Sequence, residues 1–202
     1  MKNLYFLVFT TFLLSSCKVY NDEKKKTLKT NIHTNKELVN IVNAINEDTS
    51  KHLNVQEKLT DDEILSIEKK IGKSLPESYK YFLKNIGAGA ELIYYQPIDD
   101  IRRYNYLNSF RKLSQEIELV NEKNVPLNSL LCLMSGDSNG GAWVWLTSEK
   151  KEDNEWSLAY YSIQDQRLYF KVANFTEWLK LLYRSKGEVI RELDKDYILG
   201  LG

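Results

Sequence analysis

The chain has 202 residues, 43% of them apolar and 28% charged, which suits one domain with accessories, able to bury a core without metal or disulfide staples. That balance is far from the composition of disordered chains. Lys and Arg total 28 against 28 for Asp and Glu, so no overall charge points to nucleic acid as a partner.

The first residues read as a leader. Lys2 supplies a positive start, and the apolar run Leu4 to Leu14 is too short to cross a bilayer, which takes about 20 apolar residues. Leu14-Ser15-Ser16-Cys17 resembles a bacterial lipobox. That resemblance implies cleavage before Cys17, acylation of its thiol, and a membrane anchor in the cell envelope, since two or three acyl chains hold firmly where one is marginal. A signal peptide processed elsewhere, or an uncleaved apolar N-terminus, are the alternatives. Lys18 after the cysteine resembles lipoproteins sorted to the outer membrane, with the leaflet open.

Residues 18–33 are polar and charged and read as a tether; as flexible coil they would reach roughly 20 to 25 Å. Lys24-Lys25-Lys26 beside Asp22 and Glu23 reads as a solvated linker. Thr34 and Glu37 are spaced as a capping box before Leu38, Val39, Ile41, Val42 and Ile45. This stripe predicts a helix that packs on its own domain, with docking of a partner as the other use.

Thr60 to Gly89 is the most legible stretch. Thr60 and Glu63 form a capping box, Ile64, Ile67 and Ile71 recur at helical spacing, and Gly72 can end the helix in the left-handed region. A second helix follows Pro76, with Tyr79, Phe82, Leu83 and Ile86 on one face, released at Gly87 and Gly89. Glu91 to Gln96, holding Leu92, Ile93, Tyr94 and Tyr95, predicts a strand that Pro97 ends. Asp99 or Asp100 then predicts the cap of a long helix to about Val120, through Ile101, Tyr104, Leu107, Phe110, Leu113 and Ile117. Its basic middle, Arg102, Arg103, Arg111 and Lys112, is diluted by Glu116 and Glu118 and reads as a solvated face.

After a turn at Val125-Pro126 the pattern becomes an antiparallel meander: Leu130 to Met134, Trp143 to Leu146, Trp156 to Ile163, and Leu168 to Val172. Gly136-Asp137-Ser138-Asn139-Gly140-Gly141 lacks the Gly-Lys-Ser/Thr or Gly-x-Gly-x-x-Gly spacing of a phosphate loop and precedes a strand, so it reads as a hairpin turn. Trp143 and Trp145 share one sheet face by period two, with Val144 on the other. Asn174 caps a closing helix lined by Phe175, Trp178, Leu179 and Leu182; Gly187 interrupts it, and the tail adds a helical turn or two. The expected class is α+β: a mainly antiparallel sheet of five to six strands, with helices on one side and at the edges.

Catalysis has little to stand on. Cys132 lies in the apolar strand among Leu130, Leu131, Leu133 and Met134 and reads as an inert core thiol, while His33 and His52 both precede the predicted core. If Cys17 is acylated, Cys132 has no disulfide partner. No zinc or calcium spacing is present, and no cofactor is implied.

Glu68, Gly72, Leu75-Pro76, Tyr79, Phe82, Leu83 and Gly87, then Gly136 to Gly141, then Asn174-Phe175-Thr176-Glu177-Trp178-Leu179, together resemble the SUKH superfamily over roughly Leu59 to Tyr183. That superfamily includes fungal cell-wall-synthesis regulators and bacterial immunity proteins. The resemblance implies a binding module: an immunity protein that neutralises a protein toxin by direct contact, here held on the membrane through Cys17. The expected organisation is a leader 1–16, a tether 17–33, a helix and connection 34–58, and the SUKH-like domain 59–202. The partner face expected is Glu91, Tyr94, Tyr95, Asp137, Ser138, Asn139 and Trp143. The alternative is a structural or regulatory envelope lipoprotein whose partner is a wall polymer or a housekeeping protein.

Overall fold

The computed structural model describes residues 36–48, 54–92, 97–107, 116–137, 140–149, 151 and 153–198. The leader, Cys17, the tether, Thr34, His33 and His52 lie outside the described residues. Contacts divide the chain into Met1–Glu37 and Leu38–Gly202, and the description concerns the second unit.

Helix α1, residues 36–47, places Leu38, Val42 and Ile45 in the main core, each at most 5% exposed, so this stripe packs on its own domain as expected. Helix α2, Asp61–Ile71, starts at the predicted capping box. The Thr60 hydroxyl accepts from the Glu63 amide at 3.3 Å and the Glu63 carboxylate accepts from the Thr60 amide at 2.8 Å. It ends at Gly72, with φ +75°. Replacing Thr60 with alanine should lower stability by about 1 kcal/mol in urea unfolding, since one cap acceptor is lost while the fold is kept. Helix α3, Glu77–Asn85, buries Ser78, Tyr79, Phe82 and Leu83.

Strands β1 (Asn54–Val55), β2 (Ala90–Glu91) and β3 (Pro97–Ile98) form a small antiparallel sheet in that order. Of the strand expected over 91–96, residues 93–96 lie outside the described residues, and the described ends correct it. Ala90 pairs with Ile98 and Glu91 with Pro97, so the chain turns back after Glu91, and Pro97 begins the return strand where it was expected to end the first. Proline fits there because β3 is the last strand of the three and needs no amide on its outer side.

The long helix expected from Asp99 to Val120 is not formed in the described residues. The Asp100 carboxylate does cap, accepting from the Arg102 amide at 3.0 Å, but only a 3-10 turn, Ile101–Arg103, follows. Tyr104 then leaves the helical region, at φ −49° and ψ 144°. Residues 105–106 pair with the main sheet, through Cys132 N to Asn105 O at 2.8 Å and a bridge Tyr106 to Leu131, and β4 (Glu116–Ile117) pairs with β5 (Val125–Pro126). Of the apolar residues that suggested a helix, Ile101, Leu107 and Ile117 are buried and Phe110 and Leu113 lie outside the described residues; where the chain meets β6 it pairs with a sheet edge that needs backbone partners, and helix propensity yields to that demand.

The main sheet is the predicted meander, β6 (Leu130–Asp137), β7 (Gly141–Leu146), β8 (Leu158–Ser162) and β9 (Arg167–Val172), in sequential antiparallel order. Single-residue bridges at Tyr106 and at Leu119, which meets Leu168, extend it by one rung on each side. Asp137 pairs with Gly141 across the β6–β7 turn, and Gly140 takes φ +81°, the conformation that marks a hairpin.

Each face of this sheet has its own core. Trp143, Trp145, Leu158 and Tyr160 meet α1, α2, α3 and α4 on one side. Val144, Leu146, Ala159 and Tyr161 meet Leu107, Ile117, Leu119, Val125 and Leu127 on the other. Strict alternation would put Leu168 and Val172 on the same face, yet Leu168 lies in the second core and Val172 in the first. The difference is a bulge. The register slips between Leu158 and Tyr160, and Phe170 sits at φ +52°, absorbing the extra residue and reversing the parity of the strand. Helix α4, Phe175–Arg184, is capped by Asn174, whose side chain accepts from Glu177 N at 2.9 Å. Its Phe175 joins Tyr79 and Trp145 at ring distances of 5.0 and 5.7 Å, tying α3, α4 and β7 together. The tail after Gly187 forms a full helix, α5 (Val189–Ile198), rather than a turn or two.

Candidate interaction surface

The residues expected at a partner face fall into three groups. Glu91 is half-buried in β2, opposite Asn54 and Pro97. Asp137 is the last residue of β6, at the hairpin. Tyr94, Tyr95, Ser138 and Asn139 lie outside the described residues. Trp143, expected at a partner face, is instead fully buried, packed against Trp178 at 5.9 Å and Tyr160 at 5.6 Å, and presents no surface to a partner. Period two placed it on a face correctly; that face belongs to the helices.

Asp99 joins the stretches that remain. Its amide donates to Leu133 O at 2.9 Å and its carboxylate accepts from Ser135 N at 2.8 Å. Leu133 and Ser135 each lie within one of the two register shifts of β6, so Asp99 supplies pairing that the irregular strand does not find in β7. The same clamp fixes the end of the β2–β3 hairpin against the strand leading to the β6–β7 turn. Burial holds the Asp99 carboxyl above its usual range, although its hydrogen bonds with Ser135 act the other way.

On another part of the surface is a shallow hollow of about 450 Å³, floored by Leu119, Val125 and Pro126 and rimmed by Glu122, Lys123 and Glu149. Behind it Lys171, just past the Phe170 bulge, reaches Glu122 at 2.6 Å and Glu149 at 2.7 Å. Burial works against the lysine's charge, but the hydrogen bonds to both carboxylates outweigh it and hold its ammonium above the usual value. Glu149 answers in kind: burial raises it, and Lys171 with Ser157 brings it below the ordinary glutamate range. No local pattern announced this cluster, because its three ionised residues come from a turn, a loop and a strand joined only by the fold.

Cys132 is 5% exposed in the second core, and burial, with Asp99 nearby, pushes its thiol up to about 12. At pH 8 its thiolate fraction is about a thousandfold below that of an ordinary cysteine. In a chain carrying Cys17→Ser, a thiol reagent such as Ellman's should leave the native protein unlabelled and titrate one group once urea unfolds it. Rapid labelling of the native chain would contradict the burial. Among the described residues no three His, Cys, Asp or Glu side chains gather where a metal could be held.

A four-stranded antiparallel meander with helices on one face and an irregular covering segment on the other defines an α+β domain. The chain belongs to the SUKH family: residues 61–179 match the family model SUKH_6, described as SMI1-KNR4 cell-wall. The match opens at the first residue of α2 and closes within α4, so it takes in α2, α3, the whole main sheet and the first half of α4. No curated protein matches the chain.

Proposed function

We propose that this chain is a lipid-anchored protein of the cell envelope that binds a protein toxin and neutralises it by occupying the toxin's surface. The observation that carries the reading is membership of the SUKH family across the sheet and its helices. The leader and Cys17 add the place, since an acylated thiol followed by a polar tether holds a domain just clear of a bilayer. Two carboxylates are already engaged within the fold: half-buried Asp99 clamps an irregular strand and buried Glu155 grips Ser78. The contact face in this reading is the end of the molecule where the β2–β3 and β6–β7 hairpins are joined through Asp99, with Glu91, Tyr94, Tyr95, Asp137, Ser138 and Asn139 as its residues.

The test takes a candidate toxin sought among the genes that neighbour this one. Cells producing the full chain should survive exposure to it, and the purified domain should form a stoichiometric complex with it. Cys17→Ser should abolish incorporation of an alkyne-tagged fatty acid and move the protein off the membrane, with protection reduced accordingly. Equal killing with and without the chain, together with sedimentation of the domain on isolated wall polymer, would instead favour a structural or regulatory envelope role.

A further inference from the structure

Helix α3 begins after Pro76, which offers no side-chain acceptor to the first amides of the helix. The acceptor arrives from elsewhere in the chain. Glu155, on the approach to β8, accepts the Ser78 amide on one carboxyl oxygen at 3.0 Å and meets the Ser78 hydroxyl on the other at 2.5 Å. It is 5% exposed, and its own amide donates to the Asp153 carboxylate at 3.0 Å, which winds the loop that delivers it. The same loop is held at Lys151, whose ammonium donates to the Ala173 carbonyl.

We infer that Glu155 is a latch that closes the β7–β8 loop on α3 in either protonation state, so that its grip on Ser78 outlasts protonation and favours the folded domain more as pH falls. The geometry allows both states. Ionised, the carboxylate accepts from the amide and from the hydroxyl. Protonated, one oxygen still accepts from the Ser78 amide while the new O–H donates to the hydroxyl oxygen, whose own proton turns away. The forces on the group have named sources. Burial, the largest, disfavours its charge; the Ser78 hydroxyl and amide favour it; Asp153 opposes it and Lys151 supports it; the carboxyl is left above the ordinary glutamate range. For a carboxyl raised by folding, the added stability is complete below the unfolded value near 4.5 and is lost as pH rises through the folded value. Asp99 acts in the same sense, and Asp100, Glu149 and Glu63 in the opposite one, so the effect has to be read as a difference between variants.

Glu155→Gln supplies that difference, because its amide imitates the protonated carboxyl in shape and hydrogen bonding. Urea unfolding of the full chain and of E155Q from pH 4.5 to 8 should give folding constants whose ratio changes with pH, by at most about tenfold per unit, with the wild type losing ground to E155Q as pH rises. Hydrogen exchange at Ser78, corrected for intrinsic rates, should stay protected at pH 5 in both. A ratio that is flat across this range, or a Ser78 amide that opens in the wild type at pH 5, would overturn the latch. Neither reading depends on the truncation E155A, which removes the grip altogether.

Discussion

Replacing Trp143 with alanine should cost about 3 to 5 kcal/mol of folding stability, the range for deleting a large aromatic side chain from a packed core. The indole is fully buried, with ring contacts to Tyr160 from the neighbouring strand and to Trp178 from α4. Its loss would open a cavity where the main sheet meets the helices, a site framed by three elements that cannot collapse independently. Urea unfolding checks the magnitude, and Trp143→Phe should recover a good part of it by refilling most of the volume. The comparison also separates the two roles this tryptophan could have. A core residue lowers the unfolding midpoint. An anchor for a partner would leave the midpoint unchanged and weaken binding alone, and that outcome would contradict the burial.

The second large effect is expected at Gly87, where α3 hands the chain to β2. A β-carbon there would lie 2.2 Å from Gln56 O and 3.1 Å from the carbonyl carbon, both backbone atoms. Backbone cannot rotate out of the way as a side-chain tip can. The neighbouring hydrogen bonds, Gln56 N to Gly89 O and Ala88 N to Glu57 O, each at 2.9 Å, fix the two segments at this separation. Gly87→Ala should therefore break the local pairing, at a cost of about 3 kcal/mol or more, above the usual range for overpacking because no rotamer relieves it. Thermal unfolding of the variant, with Gly72→Ala as a control whose β-carbon meets nothing within 4 Å, distinguishes the close approach from the general cost of changing a glycine. At Gly72 the penalty comes only from the positive φ. Equal losses at the two positions would remove the argument from crowding.

The parts of the fold that were legible are those whose signals are local. The Thr60 capping box, the Gly72 stop, the Asn174 cap and the alternating tryptophans each sit within a few residues of the structure they specify, and each is found where the pattern placed it. The segment after Asp99 failed for the opposite reason. Its apolar spacing matches a helix, but Asn105 and Tyr106 are taken by the edge of β6, contributed by residues some thirty positions later. β-branched and aromatic composition predicts one strand over 91–96 but says nothing about which residues pair, and the pairing of Glu91 with Pro97 is what composition cannot give. The site suffered similarly. Sequence could nominate hairpin loops and aromatic residues, and it could tell that Trp143 and Trp145 share a face, but not which side of the sheet the helices would take. The Lys171 pairing with Glu122 and Glu149, the Asp99 clamp and the Glu155 grip on Ser78 are long-range contacts with no spacing rule to find them by.

The two outer rims of the main sheet bear on how any partner can be gripped. Residues 105–106 and Asp99 occupy donors and acceptors along β6, while Glu118 and Val120 take those of Leu168 on β9, and the Phe170 kink twists the rest of that strand out of line. Along these stretches a guest polypeptide has no ladder onto which to zip its backbone. A partner meeting these stretches would have to be read through side chains, which can be exchanged without disturbing the scaffold. In the proposed setting, many such domains tethered side by side on one bilayer would also lack, at these rims, the sticky borders through which sheets fuse into aggregates.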